Sequence, residues 1–316
     1  MATRVFLTID TEFAWRHHAA GLDVETIYQR SLEPAGVGLR YQLDLFARHR
    51  LKACFFVDPM PAMVFGLDPI KRMVDTILAG GQEIQLHLHP NWSGARPGDR
   101  GASYARFQMH EYDRDEQWTL IEGARDLLIA AGAPAPIAFR AGGYAANDDT
   151  LQALAALGFV YDSSHNGAEP VESRTGLAPR QIAPLEAHLI EVPVTVVGDR
   201  PDSWRTFQLC ALSDREASAA LAHAAAAGHS AVTIVSHGFE LANRHGTAAN
   251  RVHVRRFENL CRLLDERRDI MPTVHFADRP DLALGCDDVP LRANALRRRW
   301  RQAEQLWSNL IAEHVA

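Results

Sequence analysis

Only four cysteines, Cys54, Cys210, Cys261 and Cys286, are spread along the 316 residues, and no two form a CxxC pair. That scarcity argues against a disulfide framework and against a zinc–thiolate cluster. Long apolar runs are also missing: none approaches the roughly 20 residues that a membrane-crossing helix needs. An excess of positive charge is absent, and a formal net charge of −6 counts against general nucleic-acid binding, which relies on a basic surface. No glycine-rich dinucleotide fingerprint, internal repeat or low-complexity tract is present. The first residues enter a strand-like run at once, without the apolar stretch and small-residue cleavage site of a secretory signal, so the expected location is cytoplasmic.

What is present suits a large α/β protein. The 47% hydrophobic content is ample for a buried core. Apolar, often β-branched runs recur at 5–9, 52–57, 83–88, 137–139, 159–161, 189–194, 231–235 and 273–276. Helical spacing lies between most of them, at 37–48 and 69–78. Asp113 with Glu116, and Ser213 with Glu216, read as capping boxes opening helices to about Ala131 and Ala227, and Asn147 caps a helix over 148–157. Alternation of this kind predicts a parallel sheet, and seven or eight strands favour a distorted (β/α)7-8 barrel over an open doubly wound sheet. One crossover is irregular, because the stretch between Tyr161 and Leu189 carries no convincing helix.

Four strand-like runs end in residues that bind metal or move protons: Asp10-Thr11-Glu12, His87-Leu88-His89, Arg140-Ala141-Gly142-Gly143 and His237-Gly238. Side chains alternate along a strand, so Asp10 and Glu12 share one face, as do His87 and His89. Barrel active sites form at the carboxyl ends of the strands, where Asp10, His87, Arg140, Asp162 and His237 all fall. Two carboxylates, two imidazoles, an always-charged arginine and a later histidine suit a metal-assisted hydrolase.

Taken in order, Thr8-Ile-Asp-Thr-Glu12, Ala53-Cys-Phe-Phe-Val57, Glu83-Ile-Gln-Leu-His-Leu-His-Pro90, Phe139-Arg-Ala-Gly-Gly143, Tyr161-Asp-Ser-Ser164 and Val235-Ser-His-Gly238 resemble the polysaccharide deacetylase family, the NodB-like carbohydrate esterases. The resemblance spans roughly residues 4 to 278 and implies a distorted barrel that removes acetyl groups from N-acetylated sugars with a divalent metal, commonly Zn2+. By it, Asp10 takes the place of the general base, Arg140 of the residue orienting that base, and His237 of the general acid. Tyr144 falls where a backbone N–H binds the oxyanion, and Asp162 where a carboxylate tunes the acid histidine. Glu12, His87 and His89 take the metal positions.

Two departures mark a divergent branch. The family's first motif has adjacent aspartates, whereas this chain has Asp-Thr-Glu; the family's histidines stand four apart, whereas these are two apart. Either His89 or His110 therefore completes the metal site, with His17 and His18 as more remote candidates.

The expected substrate is an N-acetylated sugar, nucleotide-linked or lipid-linked, used in surface-polysaccharide assembly, with no nucleic-acid partner. Trp15, Trp92 and Trp204 stand where they either stack on sugar rings or pack. The alternatives are hydrolysis of another amide, such as a formyl group or a cyclic ureide, and a metal-free glycan-binding protein.

Residues 1–280 are expected to form the catalytic barrel and 281–316 a C-terminal helical extension. In the extension, Leu296, Trp300, Ala303, Trp307 and Leu310 fall at alternating steps of four and three beside a basic face. That pattern predicts docking on the barrel, a homodimer, or peripheral contact with an anionic membrane.

Overall fold

Parity along the first strand sets the architecture. Val5, Leu7 and Ile9 join the larger core beneath the helices, while Phe6 joins a smaller cluster with Cys54, Phe56, Ala138 and Tyr161. The strand is thus buried on both faces, as the wall of a filled barrel must be. The computed structural model describes residues 2–98, 106–177, 182–185 and 188–311.

The strands are β1 (Arg4–Thr11), β2 (Cys54–Val57), β3 (Glu83–Leu88), β4 (Ala138–Ala141), β5 (Tyr161–Asp162), β6 (Ala183–Pro184), β7 (Ile190–Glu191), β8 (Val196–Arg200), β9 (Ser203–Thr206) and β10 (Ala231–His237). Eight form one sheet in the order β10-β1-β2-β3-β4-β5-β7-β6. All are parallel except β6, which runs antiparallel to β7. Irregular chain closes the ring: Thr195 N–H donates to Thr233 O at 3.2 Å, Val235 N–H to Phe207 O at 3.0 Å, and Leu209 N–H to Val235 O at 3.0 Å. The fold is a distorted β/α barrel, and β8 and β9 form a separate hairpin.

The helices are α1 (Trp15–Ala19), α2 (Val24–Leu32), α3 (Leu39–His49), α4 (Ala62–Phe65), α5 (Asp68–Ala79), α6 (Arg114–Ala130), α7 (Asp148–Ala156), α8 (Asp214–Ala227), α9 (Arg251–Glu266) and α10 (Ala295–Ile311). The sequence-predicted caps form. Asp113, Asn147 and Ser213 each accept a backbone N–H three residues on, so α6, α7 and α8 start where local chemistry dictates. Each such cap contributes about 1 kcal/mol.

Helix α2 and the β8–β9 hairpin are not among the expected elements, and two further differences have a clear physical reason. The strand expected at 273–276 shrinks to one bridge between Thr273 and Val5, followed by a 3-10 turn at Phe276–Asp278. Strand β1 lies between β10 and β2, and β2 pairs only from Thr8 onward, so only the short edge before Thr8 is open to a further strand. Helix α9 is the second difference. Its buried stripe of His253, Arg256, Phe257, Leu260, Cys261 and Leu264 is diluted by charge, and the periodicity reading passed over it.

Candidate active site

Register brings the chemistry together. Asp10 lies opposite His237 on β10 and Phe56 on β2, while His87 on β3 lies opposite Arg140 on β4. All of these positions fall at the carboxyl ends of their strands.

Arg140 is fully buried, and its guanidinium is held on every side. Nη1 donates to Asp10 Oδ1 and Thr8 Oγ1, both at 2.7 Å; Nε donates to Ser163 O at 3.1 Å and Nη2 to Ser163 Oγ at 3.0 Å. The cation also lies 4.3 Å from the centroid of Phe56. A buried charge is tolerable only with such partners. Burial by itself pushes the Asp10 carboxyl up, but Arg140, His87 and His237 outweigh it and hold the pKa below its ordinary value. Asp10 is therefore an ionised base at neutral pH.

Glu12, His87 and His89 each bring a ligand atom within 4.8 Å of the others, and among the described residues they form the one such cluster. His87 Nδ1 meets Arg140 O at 2.8 Å, which leaves Nε2 facing Glu12 Oε2 at 3.2 Å. His89 Nε2 pairs with the same carboxylate oxygen. That oxygen is buried against both imidazoles without a hydrogen bond of proper geometry. Burial opposes ionisation of Glu12, yet His89 and His87 hold its pKa well below the usual range. An anchored imidazole, a second imidazole and an orphaned carboxylate oxygen converging on one point match the donor set of a divalent cation. Gly142 makes room for this arrangement: a Cβ there would lie 2.7 Å from His89 Cγ.

His237 faces Asp10, with Nε2 3.8 Å from Oδ2, and its Nδ1 meets Glu240 Oε1 at 2.8 Å. Phe239 stacks on the imidazole at 5.2 Å. Burial lowers the His237 pKa, but the Glu240 contact and charge, with Asp10, raise it to about 9. The imidazole is therefore a proton donor at neutral pH.

Five candidate positions lie elsewhere. Asp162 is in register with Phe139, whose side chain belongs to the outer core, so it points away from Arg140's face. It accepts from Ser164 Oγ at 2.6 Å, and the carboxylate against His237 is Glu240. Ser163, the next residue, takes the inward place. His110 is not in the Glu12 cluster; its Nε2 lies 3.7 Å from Glu172 Oε2. Trp92, only 1% exposed, packs against Trp15, His18 and Phe65, which makes it a core residue. His17 is buried in α1, and Trp204 sits on β9. Tyr144 follows the Gly142-Gly143 turn with φ 63°, a conformation costing a non-glycine residue about 1 kcal/mol.

Two residues escaped the sequence reading. Glu240 stands three positions after His237 in Ser-His-Gly-Phe-Glu, a spacing that a turn folds back onto the imidazole. Asp58 continues the inward parity of Cys54 and Phe56; it is fully buried, and one carboxylate oxygen has no hydrogen bond. Burial pushes its pKa up to about 6 against the pull of His89 and His87.

Comparison with solved structures bears on the fold. A candidate polysaccharide deacetylase from Mycobacterium smegmatis superposes over 96% of this chain and 91% of its own, with TM-score 0.50 and 17% identity. This chain has the polysaccharide-deacetylase fold. Two other structures match less well. A family 4 carbohydrate esterase from Streptomyces lividans, in complex with acetate, has 13% identity, coverage of 90% and 98%, and TM-score 0.44. A family 4 pseudoenzyme from Bacillus anthracis has 13% identity, coverage of 85% and 61%, and TM-score 0.39. No family profile matches the sequence, and no curated protein matches it. Within the deacetylase fold, the strand ends named above are where this chain gathers its ionisable side chains.

Proposed function

We propose that this protein is a metal-dependent deacetylase that removes the acetyl group from an N-acetylated sugar, nucleotide-linked or lipid-linked, in surface-polysaccharide assembly. One observation carries the reading: the Glu12–His87–His89 cluster lies beside an ionised Asp10 and a protonated His237, both on the same barrel rim. Two histidines and a glutamate are a donor set that zinc accepts, and the orphaned Glu12 oxygen suits a cation. Glu12, His87 and His89 would hold a divalent metal, which would supply Lewis-acid polarisation of the amide carbonyl and a water acidified toward a pKa of about 7.

The chain's own residues do the rest. Asp10, fixed by Arg140, takes the proton of the attacking water. The backbone N–H at Tyr144 steadies the oxyanion. His237 delivers a proton to the departing nitrogen, a step an amide needs because its anion leaves poorly, and Glu240 keeps that proton in place.

The test uses the full-length protein and N-acetylglucosamine oligomers, with acetate release as the readout. Stoichiometric zinc is expected to support release, chelation to abolish it, and added zinc to restore it. Turnover by metal-free protein sinks the scheme; bound zinc with no acetate released, but formate freed from N-formyl sugars, transfers it to another amide.

Gly142→Ala adds a methyl against the His89 ring and is expected to weaken zinc affinity about 10- to 100-fold, read by competition with a chromophoric chelator. Unchanged affinity would mean that His89 does not hold the metal.

A further inference from the structure

Helix α10 is docked the wrong way round for an ordinary surface helix. Its polar side faces the barrel. Arg301, 6% exposed, pairs with Asp199 and with Glu216 at 3.1 Å. Glu304 takes Arg255 at 2.7 Å and Arg256 at 2.8 Å, and Ser308 accepts from Asn250 at 2.8 Å. The chain leading into the helix is also pinned: Gly198 N–H donates to Leu291 O at 2.8 Å, and a Cβ on Gly198 would lie 2.6 Å from Ala293 N.

Much of the apolar side consequently points outward. Leu296 is 76% exposed, Leu306 and Trp307 62% each, and Leu310 58%, while Trp300, at the edge of the stripe, is 45% exposed and lies under the Arg215 guanidinium at 4.4 Å. Surface helices normally bury that stripe against their own core. Here ion pairs hold the helix in an orientation that presents it.

The pattern of the stripe identifies what covers it. Steps of four and three between Leu296, Trp300, Ala303, Trp307 and Leu310 are those of a helix-pairing seam. The order is also nearly the same from either end: leucines stand seven residues before and after Ala303, and tryptophans three before and four after. A two-fold interface requires such self-complementarity, because each copy offers the same patch. An antiparallel pair crossing at Ala303 sets Leu296 on the partner's Leu310 and Trp300 beside the partner's Leu306 and Trp307. The small central alanine lets the two backbones approach.

A membrane surface fits less well. A helix lying in a bilayer interface keeps its basic residues free to reach headgroups. Of the four arginines in α10 only Arg299 is exposed; Arg301 is consumed by Asp199 and Glu216, Arg297 donates to Arg292 O at 3.1 Å, and Arg298 donates to Asp199 O at 3.4 Å. Nor does a bilayer give any reason for a stripe symmetric about one residue.

We infer that the outward stripe of α10 is the interface of a two-fold homodimer, in which the helix packs antiparallel on its copy with Ala303 at the axis. The test is sedimentation equilibrium of the full chain with disulfide crosslinking, in a Cys286→Ser background that removes the exposed thiol. The parent sediments at twice the monomer mass and its melting temperature rises with protein concentration; Trp307→Glu halves that mass and removes the concentration dependence. Ala303→Cys oxidises to a covalent dimer. Leu296→Cys alone does not, because its counterpart lies about 21 Å away at 1.5 Å per residue; mixed with Leu310→Cys it crosslinks. A monomer at every concentration overturns the inference, as does equal self-crosslinking at Ala303→Cys and Leu296→Cys, the signature of parallel pairing. A monomer that co-sediments with phosphatidylserine vesicles, and loses that binding in Trp307→Glu, assigns the stripe to a membrane instead.

Discussion

Asp10→Asn is expected to lower kcat by about 10²- to 10⁴-fold and, in the same protein, to lower the unfolding midpoint. The carboxylate does two jobs. It is the base placed beside His237, and among the described residues it is the only anion bonded to the fully buried Arg140. An amide in its place cannot take a proton and leaves a buried cation without its counter-charge. Breaking a buried pair in this way costs about 3–5 kcal/mol, a large share of the roughly 5–15 kcal/mol that holds a domain together. The Thr8 and Ser163 contacts persist and soften that loss. Single-turnover kinetics and urea titration read the two effects separately. Turnover within threefold of the parent would remove Asp10 from the base role; an unshifted urea midpoint would show that Arg140 needs no anion.

The basic limb of the kcat/KM profile should fall near pH 9 and move down toward the ordinary histidine value of about 6.5 in Glu240→Gln. The sign follows from the proton's role. His237 acts while protonated, and a raised pKa keeps that form populated up to pH about 9. Burial favours the neutral ring, so Glu240 supplies the opposing charge. Without it the donor form disappears earlier, and activity at pH 8 drops while activity at pH 6 changes little. The acid limb, set by Asp10 below its ordinary value, stays where it was. A basic limb that does not move in Glu240→Gln would show that another group controls the donor. This profile also separates Glu240 from a purely structural carboxylate, which would lower the rate evenly across pH.

Local rules made much of the site legible. Strand alternation placed Asp10 with Glu12 and His87 with His89, and the caps at Asp113, Asn147 and Ser213 marked three helix starts. The same parity rule, applied at Asp162, would have shown it facing outward had the register of β5 against β4 been known. One residue along a strand reverses the face, and the two residues of β5 are too few to reveal their own phase. Glu240 was hidden for a different reason: a carboxylate three positions past a strand end touches the histidine only if the intervening turn bends back. His110 lies on a 3-10 turn between β3 and α6, and no local spacing tells how such a connection returns to the rim.

The α10 stripe divides in the same way. Its spacing is written in the chain, because helical geometry alone puts positions four and three apart on one side. Which side meets the barrel was decided by Asp199, Glu216, Arg255 and Arg256, which come from the β8 hairpin, α8 and α9 and become neighbours only on folding. The amino-acid order by itself determined most strands of the large sheet, three helix caps, the shared faces and the residue types of the site, since each follows from a backbone repeat spanning a few residues. Tertiary structure decided which carboxylate serves His237, which histidines meet Glu12 and where the apolar stripe points, since each depends on sheet register and on contacts between segments far apart in the chain.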